Sequence, residues 1–434
     1  MHLLETIGNT PLIELRNTTA STEGRLLFKY ERGNPGGSIK DRPALFIVTE
    51  AEKRGLLKPG GTIIESSSGN FGISLAMIGA AKGYRVIILV DPKTTATNLA
   101  LLKCFGAEVI VVTEQDDSGS YHKTRISLAN KLASEIPDAF RPDQCFNLLN
   151  STAHYQGTAR EIFADCPDNV AAIVAAVSTG GQLGGISRYT KTYRPDVKVI
   201  GVDAVGSSIF GGESHSYLIP GIGLAWTPCN VAVENIDSVY KVTDEAAFVA
   251  ARCFARNEGV LMGPSGGACA LVALTITKQL SPHDCVVCII SDGGDRYIQT
   301  LLDDAWMQSN NFSIETSLEK LLALTGTITP WSIHPDQNAN YKPELKSQLC
   351  VPASTQTILC TKVRVPAVPS GLPETGEMPC RCDRAFSPLV YGMSDMSGIF
   401  GGYPTPVFTV HTVHYRTPSH RRRMTFPSFV RREP

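Results

Sequence analysis

Short apolar runs alternate with amphipathic stretches along the chain from about residue 60 to residue 310. The runs consist largely of Val, Ile and Ala, and nearly every position in them is apolar. Such runs are typical of strands in parallel sheets that are covered on both faces, with helices between them. The pattern predicts strands at 62–65, 85–90, 108–112, 171–176, 198–204 and 285–291, and helices at 71–82, 97–105, 121–134, 184–193, 245–257 and 266–279.

This α/β pattern spans too much chain for one sheet, so we predict two α/β domains with a cleft between them. Beyond about residue 310 the chain becomes rich in proline and has few periodic apolar segments. That composition predicts a disordered or irregular extension over 311–434. Its basic residues at 421–423 and 431–432 are expected to belong to a solvated tail.

Composition restricts the class of protein. The 434 residues are 43% hydrophobic and 19% charged with a net charge of −1, as in a soluble globular protein. This balance favours neither nucleic acid nor a membrane surface as a partner. No apolar run reaches the roughly 20 residues that span a bilayer, and the first residues do not resemble a signal peptide. We therefore expect a cytoplasmic protein.

The twelve cysteines are scattered, which suits a reducing compartment. Cys285 and Cys288 lie in one apolar run, and residues three apart in a strand face opposite sides. We expect both to pack in the core. Cys380 and Cys382 have no second pair at zinc-finger spacing, so no metal site is predicted.

Two segments carry the candidate chemistry. Residues 35–42 place Lys40 on a turn that opens a helix, and residues 65–70 place hydroxyls, an amide and backbone N–H groups on a second turn. A Schiff-base lysine facing a pocket for an amino-acid carboxylate is what pyridoxal phosphate (PLP) chemistry requires. Taken alone, either segment also fits an ordinary strand-to-helix turn.

A glycine-rich loop follows the apolar run at 171–176. A strand, a glycine loop and a helix in succession favour phosphate binding. A dinucleotide site would need G-x-G-x-x-G and an acidic residue about 20 positions on, near Asp203. Thr179 occupies the first glycine position, however, and the Ser178 and Thr179 hydroxyls suit one terminal phosphate. The loop therefore favours PLP over NAD, with a structural turn as the remaining alternative.

Six segments in this order resemble the fold-type II PLP enzymes of the cysteine synthase and cystathionine β-synthase family. They are 7–12, 34–42, 67–70, 179–181, 263–266 and 292–297. The resemblance covers residues 1 to about 308. It implies a large PLP-binding domain over 1–37 and 148–310, a small domain over 38–147, and a homodimer.

The resemblance also implies residue roles. Lys40 would carry PLP and then act as acid and base at the substrate Cα, Asn70 would bind the ring oxygen, and Ser265 would face the pyridine nitrogen. The phosphate would be bound by Ser178, Thr179, Gly180, Gly181 and Gln182, and the substrate carboxylate by Ser67, Ser68 and Gly69. A serine does not keep the pyridine protonated as an aspartate would. This favours β-elimination to an aminoacrylate and addition of a nucleophile over transamination.

One branch of this family resembles the chain most, through residues 90–93, 97–99, 119–126, 202–211 and 220–223. It joins O-phosphoserine to the amino group of glutamate or aspartate, giving N-(2-amino-2-carboxyethyl) amino acids that are 2,3-diaminopropionate precursors, as in siderophore biosynthesis. Arg125 lies where this branch places a cation for an anionic substrate group, although a solvated helix arginine is an equal alternative. The Ser178 hydroxyl would help to bind the phosphate leaving group.

Two departures affect the expected substrate. Phe71 replaces the threonine that is usual in cysteine synthases, which would remove a hydroxyl from the carboxylate pocket. Leu148 and Leu149 stand in a segment that is more polar in the family, and would remove polar contacts from the substrate side of the cleft. The alternatives are a cysteine synthase that uses O-acetylserine or O-phosphoserine, and a weakly active paralogue that serves as a binding partner.

Overall fold

The computed structural model describes residues 1–116, 119–166, 169–333, 408–414 and 423–429. The chain divides into two compact units, Met1–Pro352 and Ala353–Pro434. In the first unit the strands are β1 (Leu12–Glu14), β2 (Arg25–Tyr30), β3 (Thr62–Ser66), β4 (Arg85–Val90), β5 (Glu108–Val111), β6 (Ala139–Phe140), β7 (Val170–Ala176), β8 (Lys198–Ala204), β9 (Ser238–Val242), β10 (Cys285–Ile290) and β11 (Pro330–Trp331).

The helices of this unit are α1 (Asp41–Lys53), α2 (Asn70–Lys82), α3 (Ala96–Cys104), α4 (His122–Glu135), α5 (Leu149–Gln156), α6 (Thr158–Asp165), α7 (Gly181–Tyr193), α8 (Asp244–Glu258), α9 (Pro264–Thr277), α10 (Asp304–Ser309) and α11 (Leu318–Thr325). The predicted strands and helices are present. The largest shift is at α7, predicted from residue 184, because the first residues of that helix are glycine and glutamine rather than apolar. No helix in the described ranges is long and apolar enough to cross a membrane.

The first unit contains two sheets. The larger has the order β1-β2-β10-β7-β8-β9-β11, with antiparallel strands only at its two edges. The smaller has the order β5-β4-β3-β6 and is parallel throughout. All four strands of the smaller sheet lie within 38–147, and those of the larger sheet lie outside it. The domain boundaries drawn from the sequence remain a prediction.

Helices cover both faces of the larger sheet, as near-continuous apolar strands require. Alternate residues of each strand enter two apolar clusters, one beneath α8 and α9 and the other beneath α6 and α7. Cys288 lies in the first cluster and Cys285 in the second, which confirms that the two thiols face opposite sides. Cys285 Sγ lies 3.5 Å from the Cys166 thiol, within the core.

The structure differs from the predicted irregular extension at α11 and β11. Leu321 of α11 is fully buried in the cluster beneath α8 and α9, and β11 pairs antiparallel with the edge strand β9. These short elements were missed because the proline-rich chain beyond them dominates the local composition. The large sheet and its helices therefore continue past residue 310.

In the second unit, β12 (Phe408–His414) and β13 (Arg423–Phe429) form an antiparallel ladder. The Val and Thr residues of β12 are good strand formers, which accounts for an element that was not predicted there. Cys380, Cys382 and the basic residues at 421–422 and 431–432 lie outside the described residues.

Candidate active site

Lys40 lies directly before α1, at the start of the predicted catalytic segment. The backbone N–H of Ile39 donates to the Ser291 carbonyl at 2.8 Å, which ties this segment to the end of β10. Lys40 is half-buried, and desolvation of its amine lowers the pKa of that group to about 8, although Cys145 and Asp292 act in the opposite direction. At a pKa of about 8, roughly a tenth of the amine is neutral at pH 7, a far larger share than in a solvated lysine, which makes this amine the better nucleophile.

The turn that presents Lys40 is held by Asp41. One carboxylate oxygen of Asp41 accepts from the Gly36 N–H at 2.6 Å, and the other accepts from the Ser74 hydroxyl of α2 at 2.5 Å. A Cβ at residue 36 would lie 2.3 Å from the Asp41 carboxylate, so this position requires glycine. Gly36 of the motif therefore allows the backbone to lie against the Asp41 carboxylate at the start of α1.

Asn70 is the first residue of α2, and both ends of its amide are engaged. Nδ2 donates to Asp292 Oδ2 at 2.7 Å, and Oδ1 accepts from Arg296 Nη1 at 2.5 Å. The Tyr297 hydroxyl also donates to Asp292 Oδ2, at 2.6 Å. Arg296 also donates to the Gly36 carbonyl. The 292–297 motif therefore fixes Asn70 and the lysine turn together, a role that was not predicted from the sequence.

The predicted phosphate loop connects β7 to α7 by close backbone packing. Gly180 has φ +83°, and a Cβ there would lie 2.5 Å from Val231. A Cβ at Gly181 would lie 2.0 Å from the amide oxygen of Asn150. The Asn150 amide donates to the Thr179 hydroxyl at 3.2 Å. The amides of the first turn of α7 are left free of intrahelical acceptors, which suits an anion.

Gln182 and Ser265 occupy different positions in this arrangement. The Gln182 side chain donates to the Ala176 carbonyl at 2.7 Å and accepts from the Ser291 hydroxyl at 3.2 Å. The side chain therefore stabilises the loop. The backbone N–H of Gln182 is the group that could contact a phosphate. Ser265 is buried in the first turn of α9.

The carboxyl end of β10 is where these segments meet. Ser291 bonds to both the lysine turn and Gln182, and Asp292 interacts with both Lys40 and Asn70. The desolvated Lys40 amine and the glycine loop at the N-terminus of α7 fit PLP, which needs one covalent and one phosphate contact. Within the described residues, no group of His, Cys, Asp and Glu side chains could hold a metal.

The predicted carboxylate-binding residues lie in the turn between β3 and α2. The Ser67 hydroxyl oxygen accepts from the Gly72 N–H at 3.0 Å, which leaves its hydrogen to donate. The Ser68 hydroxyl donates to Asp91 Oδ2 at 3.0 Å and accepts from Arg125 Nη1. Gly69 is the N-cap of α2, with open space beside its Cα. Ser68 therefore connects the turn to Arg125, while Ser67 and the helix amides can bind a carboxylate.

Arg125 is a buried residue of α4 rather than a solvated one. Its guanidinium lies 3.2 Å from Asp91 Oδ2, and its Nε is buried without a partner in the described part of the chain. Burial lowers its pKa, against the opposing effect of Asp91. Asp91 belongs to a segment that carried the branch resemblance, although no role was assigned to it. The pair places a partly neutralised cation beside the Ser67–Asn70 turn.

The two predicted departures do not both face the substrate side of the cleft. Phe71 is fully buried and packs in the apolar cluster beneath α1 and α2 on the smaller sheet. Leu149 is buried in the same cluster, so the prediction that it removes polar contacts from the cleft is wrong. Leu148 is half-buried at the start of α5. Polar contacts in this segment come instead from Asn150, which bonds to the Gln144 carbonyl at 2.9 Å.

Comparison with known proteins agrees with this geometry. Residues 3–292 match the family model described as pyridoxal-phosphate dependent enzyme. The chain belongs to this family. It is 39% identical over 309 residues to N-(2-amino-2-carboxyethyl)-L-glutamate synthase of Cupriavidus metallidurans, covering 70% of this chain and 90% of that one. The predicted family, cofactor and enzyme class, a PLP-dependent β-substituting transferase, are confirmed.

Solved structures of relatives share the fold. O-ureido-L-serine synthase superposes with a TM-score of 0.65 at 32% identity, covering 71% of this chain and 98% of that one. The O-acetylserine dependent cystathionine β-synthase of Helicobacter pylori gives 0.64 at 31%, covering 69% and 97%. The predicted fold-type II architecture is therefore confirmed. These relatives are named for different reactions, so the substrate has to be argued from the site.

Proposed function

We propose that this enzyme joins O-phospho-L-serine to the α-amino group of L-glutamate or L-aspartate. The Cβ–O bond to phosphate breaks, a Cβ–N bond forms, and one proton from the amino group leaves with the phosphate. The product is an N-(2-amino-2-carboxyethyl) amino acid, a 2,3-diaminopropionate precursor. The observation that carries this proposal is the buried Arg125 guanidinium beside the Ser67–Asn70 turn.

Arg125 has hydrogen-bonding capacity that the described residues do not use. A guanidinium carries five N–H donors, and the Nε of Arg125 is buried without a described partner. Sulfide is small and would gain little from such a group, whereas a phosphate or side-chain carboxylate accepts charge-assisted hydrogen bonds. The similarity to the Cupriavidus enzyme, named for a glutamate product, supports the same substrate class.

Lys40, next to the carboxyl end of β10, would bind the cofactor and transfer the proton at the substrate Cα. Bound PLP supplies an electron sink that permits loss of the β-substituent and addition of a nucleophile. Lys40 would bind it covalently, the α7 amides with Ser178 and Thr179 would bind its phosphate, and Ser265 would face the ring. A neutral Lys40 amine, with its pKa lowered to about 8, can take a proton from Cα and return it.

The Ser67–Asn70 turn would orient the amino-acid substrate. Ser67 keeps a hydroxyl hydrogen to donate, and the first amides of α2 point outward from a helix N-terminus. The carboxylate would bind there, which leaves the β-substituent free to lie towards Arg125. Ser68 then acts through Arg125 by holding the guanidinium in place.

The direct test is product analysis by mass spectrometry. The purified, PLP-saturated enzyme is incubated with O-phosphoserine and equimolar glutamate, aspartate and sulfide, and in parallel with O-acetylserine. A nitrogen-linked dicarboxylate adduct supports the proposal, and its mass identifies the acceptor. Cysteine as the sole product would establish a cysteine synthase, and lysine-bound PLP without turnover would favour a binding role.

Assembly and location form part of the same proposal. The family resemblance supports a homodimer, which light scattering of the purified full-length chain would test. The eight described cysteines are free thiols, five of them buried, which supports a cytoplasmic protein. Fractionation of cells that produce the protein would test that location.

A further inference from the structure

A segment beyond the matched family region returns to the large sheet. The family match ends at residue 292, whereas α11 and β11 lie between residues 318 and 331. In β11, Pro330 and Trp331 pair with Tyr240 and Val239 of β9. This places Trp331 at the edge of the sheet, next to the loop that joins β8 to β9.

Trp331 and Lys241 together hold the first part of that loop, residues 205–224. The Trp331 indole N–H donates to the Phe210 carbonyl at 3.2 Å. The Lys241 amine lies 4.1 Å from the centroid of the indole ring, a cation–π contact. The same amine donates to the carbonyls of Ser207 at 2.6 Å and Gly211 at 2.7 Å. The indole therefore covers an amine that binds two turns of the loop.

The far end of this loop touches the phosphate-binding segment. The Gly223 N–H donates to the Val177 carbonyl at 2.7 Å, and the Ser178 hydroxyl donates to the Gly223 carbonyl at 3.4 Å. The Ser207 hydroxyl donates to the Leu224 carbonyl at 3.0 Å and accepts from its N–H at 3.1 Å. Hydrogen bonds thus run continuously from Lys241 through Ser207 to the residues beside Ser178.

We infer that Trp331 and Lys241 are positioning residues that hold Gly223 against Ser178 and so set the cofactor loop. The step from Ser178 to the cofactor rests on the proposed function, in which Ser178 binds the PLP phosphate. The other steps concern contacts within the protein. This assigns a role in the enzyme to a C-terminal segment that lies outside the family match.

The test is hydrogen–deuterium exchange on the full-length, PLP-saturated protein, combined with measurement of PLP affinity. Trp331→Ala removes one hydrogen bond and one cation–π contact, so amides in 205–224 should exchange roughly tenfold faster. The dissociation constant for PLP should rise by roughly threefold to tenfold. Trp331→Phe keeps an aromatic ring over Lys241 and should give an intermediate effect.

Trp306→Ala is the matched control, because Trp306 packs against Phe248 and Phe312 rather than the loop. It should lower thermal stability without changing exchange in 205–224 or PLP affinity. Should Trp331→Ala not fold, Lys241→Met removes the two carbonyl contacts and should act in the same direction.

Unchanged exchange in the soluble variants would overturn the inference, as would equal acceleration in Trp306→Ala. Faster exchange with unaltered PLP affinity would overturn the link to Ser178. Neither readout depends on which substrate is used, so failure of the proposed reaction would be recognised separately by the absence of product.

Discussion

At the scale of single residues, Arg125 should decide which substrates are used. Arg125→Met removes a charge-assisted contact worth about 1.5–3 kcal/mol, so kcat/KM for O-phosphoserine should fall roughly 10-fold to 150-fold. Steady-state kinetics of product formation measure this. Arg85→Met is the matched control, since Arg85 is an exposed arginine of β4 that pairs with Glu108 on the neighbouring strand. Equal kcat/KM values in the two variants would show that Arg125 has only a structural role.

Lys40 should give PLP attachment a distinctive pH dependence. Burial lowers the pKa of its amine from 10.5 to about 8, and only the neutral amine attacks an aldehyde. The rate at which PLP combines with the apoprotein should therefore rise with pH, reach half its maximum near pH 8 and level off above it. Stopped-flow absorbance measures the rate. In Lys40→Ala, borohydride reduction should leave no cofactor on the corresponding peptide.

Candidate site residues could be named from the sequence, but their hydrogen-bonding partners could not. A motif indicates that Ser68 lies on a turn. Its hydrogen bonds to Asp91, directly after β4, and to Arg125 of α4 join residues 23 and 57 positions away and follow from tertiary packing. Leu149 illustrates the same limit. Its side chain points into the cluster on the smaller sheet because of how α5 packs there, and the local sequence does not predict that packing.

At the scale of elements, α7 should tolerate no side chain where it meets the 229–231 turn. A Cβ at Gly184 would lie 1.8 Å from the Asn230 carbonyl oxygen, so the helix or the turn has to move. Gly184→Ala should lower the free energy of unfolding by about 1–3 kcal/mol and weaken PLP binding. Denaturant unfolding and PLP titration measure both effects.

Gly326→Ala provides the control for that substitution. It places a methyl group 3.4 Å from the Ala323 carbonyl, an ordinary contact at the end of α11. Its unfolding curve and PLP affinity should match those of the unaltered protein. Equal destabilisation by both changes would mean that the close approach of α7 is not the cause.

The elements predicted from sequence are those with long apolar periodicity. The strands β4 and β8 have the predicted ends because their apolar runs are bounded by charged or turn residues. The helices α5 and α6 were missed because Gly157 separates them and polar residues predominate in α5. Secondary structure was thus predictable where one segment carries its own pattern, and not where tertiary packing stabilises a short one.

At the scale of the whole first unit, PLP should stabilise both sheets together. Its predicted ligands lie at the starts of α1 and α2, which pack on the smaller sheet, and of α7 and α9, which pack on the larger one. A ligand that binds only the folded state adds about 2.7 kcal/mol at a hundredfold excess over its dissociation constant. Removing PLP should therefore lower the melting temperature by several degrees.

Calorimetry of the apo and PLP-loaded full-length protein checks this coupling. Addition of PLP should move the unfolding of the first unit as a single transition, because Ser291 and Asp292 join the lysine turn, Asn70 and Gln182 through direct contacts. Lys40→Ala should show a smaller shift, since it loses the covalent link and keeps the phosphate contacts. Two separate transitions, with PLP moving just one, would show that the sheets unfold independently and that the end of β10 does not couple them.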